Sequence, residues 1–289
     1  MEELWVRLGE KRYRVERPFG DVPGVEQGSV SDVAVNSRGH IFVLLRRDPL
    51  LTPQAAAVVE LALDGSRVRA WGEEIADAHM LVCHPANDDV FVVDRDAHEV
   101  RRYSAEGQYK SSLGTRHRPG EPFSHPTDIA FMPGGEMVVA DGYGNATVHI
   151  FAPDGERLRS FGKLGTQPGK FLTPHSVCPL DQQHVVVVDR ENHRLQVFSL
   201  EGKLVDVWGG FFRPQSVWSD GRQLFVTDAV PSLSLLSLTG ERISRCRPVL
   251  NGAHGLAGDP ASGCLYLAET SPSRLTCLVP EDKEASHVV

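Results

Sequence analysis

Three histidines of this sequence share one local context. His79, His175 and His254 each stand at the start of a short apolar segment, in AHMLV, PHSV and AHGLA. A neutral imidazole binds metal through a ring nitrogen, and three such ligands with an open fourth position form a common catalytic zinc site. If the fold brings the three segments together, the sequence predicts a site for Zn²⁺ or another divalent transition metal, because Mg²⁺ and Ca²⁺ prefer oxygen ligands.

The segments with these histidines belong to a longer repeat. Each copy has a short apolar strand, a second apolar strand ending in an acidic residue, a third strand, a DG-like turn and a strand ending in aromatic-Gly; clear copies span residues 78–114, 126–162 and 174–209. Four antiparallel strands in about 40 residues are typical of a β-propeller blade. The sequence therefore predicts an all-β, six-bladed propeller as a single domain over residues 1–289, with first strands starting near Asp32, His79, Asp128, His175, Gln215 and His254.

The sixth copy shows only three strands. Residues 11–20, KRYRVERPFG, are similar to the last strands of other copies, so we expect them to complete blade six and close the ring, which removes an exposed sheet edge. An irregular N-terminal arm is the alternative. Insertions at 47–57 and 115–124 are predicted to lie on loops at one face, where they would wall the site.

The innermost strand of a propeller blade runs along the central channel. The three histidines fall in blades two, four and six, so a six-fold ring would make them converge on its axis. A lone histidine in an apolar strand is more often a core residue, but three at alternate equivalent positions favour a metal site. The remaining axial positions are predicted to hold polar residues that either orient the imidazoles and bound water or simply line a wet channel: Asp32, Asp128 and Gln215.

Four segments resemble one known family. DGYGNATVHIF (141–151), FLTPHSV (171–177), DRENHRLQVF (189–198) and AHGLA (253–257) are similar to segments of the peptidyl-α-hydroxyglycine α-amidating lyases, which are built from NHL-type repeats. In that family three axial histidines hold zinc, a tyrosine and two arginines surround the substrate, and an N-acyl hemiaminal is split into an amide and an aldehyde. The resemblance implies that the three histidines described above are the zinc ligands.

The resemblance also assigns the other site residues by motif. Tyr143 in DGYGN matches the tyrosine, Arg190 in VDRENHR matches one arginine, and Arg46 in FVLLRRD matches the other, although Arg47 is adjacent and the register is loose. These residues follow second strands, so we expect them near one rim of the channel, together with Arg95 of VVDRDAH. An ion pair between neighbouring blades is the alternative for Arg190 and Arg95.

Three departures limit what the resemblance carries over. Gly255 stands where the family has an aspartate that binds a structural calcium, so Ca²⁺ is doubtful. Gly252 replaces a methionine near the substrate, which puts a peptidylglycine substrate in doubt. The cystine positions of the family hold Gly144 and Val197, so those disulfides are absent.

A reaction follows from these parts. A metal with three neutral ligands acts as a Lewis acid, Tyr143 serves as general base toward a substrate hydroxyl, and Arg46 or Arg190 holds a carboxylate. Cleavage of the C–N bond then gives an amide and an aldehyde or keto product. Two alternatives stay open: metal-dependent hydrolysis of a lactone or amide in the same pocket, and a non-enzymatic NHL interaction scaffold.

Composition restricts the partners. The chain carries 30 basic and 38 acidic side chains, for a net charge of −8, which argues against binding to nucleic acid. The charged N-terminal segment lacks the apolar core of a signal peptide, and no stretch approaches about 18 uninterrupted apolar residues, so we expect a cytoplasmic protein without a membrane partner. The expected partner is a small-molecule substrate, possibly one that bears a carboxylate. Five cysteines without metal-binding spacing are predicted to be reduced.

Overall fold

The computed structural model describes residues 3–48, 50–52 and 55–281. Within these residues the chain forms twenty-five strands in six antiparallel sheets and a single short 3₁₀ turn, Arg190–Asn192. The sheets are the blades of a six-bladed β-propeller, as the sequence predicts. Residues 1–2, 49, 53–54 and 282–289, which include parts of the predicted domain and of the 47–57 insertion, lie outside the described residues.

The strands follow the chain in blade order. The first two are β1 (Leu4–Leu8) and β2 (Lys11–Glu16). Blade one contains β3 (Gly28–Val35), β4 (Ile41–Arg47), β5 (Val58–Leu61) and β6 (Arg67–Trp71). Blade two contains β7 (Ala78–Cys83), β8 (Val90–Asp94), β9 (Glu99–Tyr103) and β10 (Tyr109–Leu113). Blade three contains β11 (Asp128–Phe131), β12 (Met137–Asp141), β13 (Thr147–Phe151) and β14 (Arg157–Phe161).

The second half of the ring repeats this order. Blade four contains β15 (Pro174–Pro179), β16 (His184–Asp189), β17 (Arg194–Ser199) and β18 (Leu204–Trp208). Blade five contains β19 (Pro214–Ser219), β20 (Gln223–Asp228), β21 (Ser232–Ser237) and β22 (Arg242–Cys246). Blade six contains β23 (Ala253–Gly258), β24 (Leu265–Thr270) and β25 (Ser273–Pro280), and its sheet order is β1-β2-β25-β24-β23.

The N-terminal strand closes the ring. β2 pairs antiparallel with β25, with Val15 opposite Leu278, and the Phe19 N–H donates to the carbonyl of Leu275 over 2.8 Å. The prediction for residues 11–20 is therefore confirmed, although the strand itself ends at Glu16. The sequence did not predict β1, which adds a fifth strand outside β2.

The core lies between adjacent blades. The second strand of blade four, with the run Val185–Val188, is wholly buried because neighbouring blades cover both of its faces. Blades one and six meet in the same way through Val43 and Tyr266. Burial of each such side chain contributes about 1.5–3 kcal/mol, so the ring is held by apolar contact as well as by strand pairing.

Turn glycines let the blades approach one another. Gly107, between β9 and β10, has φ +86°, and a Cβ there would overlap the ring of Trp71 at the end of blade one. Gly202, between β17 and β18, has φ +78° and meets Phe161 at the end of blade three in the same way. The aromatic residue at the end of one blade thus packs against the glycine of the DG-like turn in the next blade, so both motifs of the repeat belong to the same contact.

Candidate active site

Three imidazoles converge on the axis of the propeller. The ring centroids of His79 and His175 are 5.1 Å apart, and His254 lies 4.9 Å from each of them. Their potential ligand atoms all lie within 4.8 Å of one another, and the rings of His79 and His175 are fully buried. Angles of 77° to 82° between the ring planes give the cluster a near three-fold arrangement.

Backbone carbonyls fix which nitrogen of each ring faces the axis. The Nδ1 atoms of His79, His175 and His254 lie 2.6, 2.7 and 2.8 Å from the carbonyl oxygens of three odd-numbered blades, which belong to Thr127, Gln215 and Ser31 respectively. A carbonyl only accepts, so each Nδ1 must carry the hydrogen and donate it. In the neutral ring Nε2 then keeps its lone pair, which is the arrangement of a metal-ligating histidine held by a second partner.

The surroundings keep the three rings neutral. Burial, followed by the neighbouring His254, holds the pKa of His79 well below its usual value. Burial, followed by Arg190, does the same for the pKa of His175, and burial lowers the pKa of His254 to about 4. Neutral imidazoles are the form that binds a metal ion, so the donor set suits a divalent transition metal.

The strand register shows that two polar residues lie one position farther along the channel than the sequence predicts. In blade four, Pro174 lies opposite the acidic Asp189 and pairing resumes with Ser176 opposite the preceding residue. In blade three, Asp128 lies opposite Ala140, which likewise precedes the acidic end of its strand. Asp128 is therefore equivalent to Ser176, and Thr127 to His175.

The prediction that Asp32 and Asp128 lie level with the histidines was thus wrong by one residue. The register at the strand start depends on backbone pairing, where bulges are common. Ser31 and Thr127 occupy the histidine level. The Asp32 carboxylate instead accepts from the Leu81 N–H over 2.9 Å and that of Asp128 from the Val177 N–H over 2.9 Å. Both carboxylates thus join neighbouring first strands and line the axial channel, while Gln215 orients His175 through its backbone.

Tyr143 covers one side of the triad. Its backbone N–H is 3.3 Å from the carbonyl of His125, and its Oη lies 3.0 Å from Nε2 of His79 and 3.2 Å from Nε2 of His175. Nη1 of Arg190 donates to the same Oη over 3.1 Å. The phenol oxygen is therefore within reach of any group that the three Nε2 atoms hold.

Two arginines lie close to the Tyr143 ring, and a third is linked to one of them through Asp77. The guanidinium carbons of Arg95 and Arg190 both lie 5.3 Å from the ring centroid. Asp77, which is 7% exposed, accepts from Arg46 Nε over 2.6 Å and from Arg46 Nη2 over 3.0 Å, and it pairs with Arg95 Nη2 at 2.5 Å. The rim of the channel beside Tyr143 is thus cationic, with one carboxylate bridging two of its three guanidinium groups.

The structure decides between Arg46 and Arg47. Arg46 reaches Asp77 at the site, whereas Arg47 turns away and donates to the carbonyls of Thr52 and Glu73. The sequence analysis missed Asp77, because one aspartate before an Ala-His pair carries no distinctive signal. It also missed the Ser31 and Thr127 carbonyls, since main-chain groups leave no mark in a sequence.

Other blades occupy the space that a side chain would need at Gly255 and Gly252. A Cβ on Gly255 would overlap the Asp32 carboxylate, so blade one supplies a carboxylate where the amidating lyases have one from blade six. A Cβ on Gly252 would overlap the backbone of Asp228 and Ala229. The space beside the third histidine is therefore closed by the backbone of blade five.

Comparison with known proteins agrees with this architecture. Residues 123–151 and 171–198 match the family model for the NHL repeat. The chain is 30% identical over 206 residues to the probable peptidyl-alpha-hydroxyglycine alpha-amidating lyase of Caenorhabditis elegans, a match that covers 61% of this chain and 57% of that protein. The chain is therefore a β-propeller that contains NHL repeats and is similar to the amidating lyases. It thus spans little more than half the length of the nematode relative.

Two further comparisons agree with the propeller fold. Human NHL repeat-containing protein 3 is 27% identical over 93% of the chain and 84% of its own length. A gluconolactonase structure from Xanthomonas campestris covers 95% of the chain and 91% of that protein with a TM-score of 0.73, but at 16% identity it shows the fold alone. No helix of the described residues is long and apolar enough to cross a membrane. The cytoplasmic location stays a prediction.

Proposed function

We propose that this propeller is a metal-dependent lyase that cleaves the C–N bond of an N-acyl hemiaminal, an α-hydroxyglycine-like amide. The products are an amide and an aldehyde or keto compound. The observation that carries the proposal is the meeting of three imidazoles whose Nδ1 atoms each bond a carbonyl, with one phenol oxygen 3.0 and 3.2 Å from the Nε2 atoms of two of them. A plain interaction scaffold gives no reason for this combination.

His79, His175 and His254 would hold the metal, for which we propose Zn²⁺. Three neutral nitrogen donors on an axis, with Tyr143 on one side, match the donor set and the open position of a catalytic zinc site. When bound, the ion supplies Lewis acidity toward a substrate oxygen.

Tyr143 would transfer the proton from the substrate hydroxyl to the departing nitrogen. In the lyase reaction the electron pair of the substrate O–H bond forms the new C=O bond, the C–N pair moves to nitrogen, and the hydroxyl proton must finally reach that nitrogen. Tyr143 Oη lies between two ligand nitrogens and Arg190, so the guanidinium would donate a hydrogen bond to the oxygen that accepts this proton. The same oxygen can return the proton to the departing amide.

Arg190 is the better candidate of the two proposed carboxylate-binding arginines. Two nitrogens of Arg46 already donate to Asp77. Arg190 donates through Nε to Glu191, which is partly exposed, and through Nη1 to Tyr143. A substrate carboxylate next to Tyr143 would therefore meet the Arg190 guanidinium, with Arg46 and Arg95 adding positive charge to the rim.

Metal-dependent hydrolysis of a lactone or amide is the second candidate. The same triad could activate water, and that reaction needs no phenol. The position of Tyr143 Oη, within 3.0 to 3.2 Å of two ligand nitrogens, favours the lyase because it places a proton acceptor at the reacting oxygen.

The deciding assay compares both reactions in one preparation. Tag-free protein is assayed for bound metal, then given N-benzoyl-α-hydroxyglycine, with release of benzamide and glyoxylate followed, and δ-gluconolactone, with release of acid followed. We expect chelator-sensitive release of both hemiaminal products, and Tyr143→Phe should keep the metal while losing activity by roughly 10² to 10⁴. Lactone turnover that survives Tyr143→Phe, without hemiaminal turnover, would establish the hydrolase instead.

A further inference from the structure

A second compartment lies on the far side of the three imidazoles. A cavity of about 660 Å³ follows the first strands of all six blades from Asp32, Asp128 and Ser216 toward the ends of those strands. Tyr143 and Arg190 follow second strands, which run antiparallel, so they lie at the opposite end of the axis. The imidazoles stand between the two ends, and the cavity size is that of a small-molecule site.

An apolar ring forms the inner wall of this cavity. One residue from each blade contributes, and none is more than 5% exposed: Val33, Leu81, Ile129, Val177, Val217 and Leu256. Farther out, Phe131 and Trp218 add aromatic surface. Such walls bind the hydrocarbon part of a ligand and exclude water from its polar end.

The charges of the cavity all have one sign. Its lining in the described chain includes Asp32, Asp128 and Asp181 but no lysine, arginine or histidine. Asp32 and Asp128 are 5% and 7% exposed, and neither makes an ion pair with a described side chain. Burial, followed by the charge of Asp128, raises the pKa of Asp32, and burial raises the pKa of Asp128 to about 7.

We propose that this cavity binds a small organic ammonium ion with an apolar body, such as an arylalkylamine. The ammonium group would lie at the inner end between Asp32 and Asp128, and the apolar body would lie against the six-residue ring. Ser216 occupies the equivalent position in blade five, so the three odd blades place two carboxylates and a hydroxyl at one level of the channel. The opposite charges of the two ends would keep an amine away from the Arg190 rim.

Calorimetry with three matched probes tests the proposal. The metal-loaded protein is titrated with 2-phenylethylammonium, with the neutral 2-phenylethanol and with 3-phenylpropanoate. We expect the amine to bind at least about tenfold more tightly than the alcohol, a difference of about 1.4 kcal/mol, and the carboxylate not to bind. Equal affinity for amine and alcohol would overturn the proposal and leave the carboxylates as partners of the backbone and of the axial metal.

A pair of variants at Ser216 avoids the risk of misfolding, because the side chains of Asp32 and Asp128 hold neighbouring strands. Ser216→Asp adds a third carboxylate, and Ser216→Asn adds the same volume without charge. We expect the amine to bind Ser216→Asp at least about threefold more tightly than Ser216→Asn, and quenching of Trp218 emission to follow the same order. Equal affinities would contradict the proposed position of the ammonium group. These measurements need no turnover, so they succeed or fail independently of the proposed lyase reaction.

Discussion

Blades two and four carry the same motif and use its arginine differently. Asp94-Arg95 and Asp189-Arg190 occupy equivalent positions. The backbone N–H of Arg95 donates to the backbone carbonyl of Asp77, and that of Arg190 donates to the backbone carbonyl of Thr173, so these two residues are also equivalent. Beside Asp77, Arg95 forms an ion pair at 2.5 Å; beside Thr173, Arg190 reaches Tyr143 Oη.

The residue two positions before each axial histidine thus decides what the arginine can do. The turn after the arginine is shared, although Ala97 and Glu99 of blade two correspond to Asn192 and Arg194 in blade four. His98 and His193 both adopt positive φ, and the Nδ1 of each accepts a backbone N–H from the start of the next blade. The comparison separates a shared framework, which orients the next blade, from a variable position two residues before the histidine, where Asp77 forms an ion pair with its arginine and Thr173 carries no charge.

The largest expected effect tests where the two blades are equivalent. His79→Ala and His175→Ala should each reduce bound metal from about one ion per chain to near zero, because each removes one of three converging Nε2 atoms. Elemental analysis of tag-free protein measures this directly. His184→Ala, at a histidine bonded to Asp181 away from the axis, should keep full occupancy. Full occupancy in His175→Ala would rule out the axial site.

Substitution of the two arginines tests where the blades differ. Arg190→Gln should lower kcat/KM for the hemiaminal by about 10- to 100-fold, since a charge-assisted hydrogen bond contributes about 1.5–3 kcal/mol. Arg95→Gln removes a cation already paired with Asp77, so a loss below about fivefold is expected. Steady-state kinetics of both variants provide the measurement. Similar losses would show that the ion pair does not set Arg95 apart.

Exchange of the variable position offers a sharper form of this test. Thr173→Asp should place a carboxylate beside Arg190 and draw it from Tyr143, with an expected loss of about 3- to 10-fold in kcat/KM while the metal is retained. Thr173→Asn is the uncharged control of similar size. If both variants behave alike, the loss comes from the altered volume and not from capture of the guanidinium.

The smallest effect concerns the framework that the blades share. Gly107→Ala and Gly202→Ala should each lower the free energy of unfolding by about 1–2 kcal/mol or more, because an L-residue at positive φ costs that much even before it meets the packed aromatic ring. Chemical denaturation of the metal-loaded protein compares the two. A loss at one glycine only would mean that the two blade contacts are not equivalent.

The sequence predicted what repetition determines. Strand periodicity and the aromatic-Gly turns identified six blades, and the similarity of residues 11–20 to other last strands identified the closing strand. The same repetition placed His79, His175 and His254 on alternate blades, and the structure brings them together. Each of these predictions depends on a pattern that recurs several times along the chain.

Structural details that do not recur along the chain could not be predicted from the sequence. Five of the six first strands carry a bulge near their start, and the predicted positions of Asp32 and Asp128 were wrong by one residue because alignment of polar residues does not reveal backbone pairing. The choice between Arg46 and Arg47 depended on which side chain Asp77 holds. The cavity behind the triad was likewise missed, since its six apolar wall residues resemble ordinary core positions in the sequence.

The closing strand links the three-histidine cluster to the order in which the ring assembles. Pairing of β2 with β25 joins parts of the chain more than 260 residues apart, so loop-closure entropy delays it relative to pairing within a blade. The third imidazole, His254, stands on the sheet that this pairing completes. A chain still being synthesised lacks the third imidazole until blade six has been made. We therefore expect tight binding of a metal ion only when the ring closes.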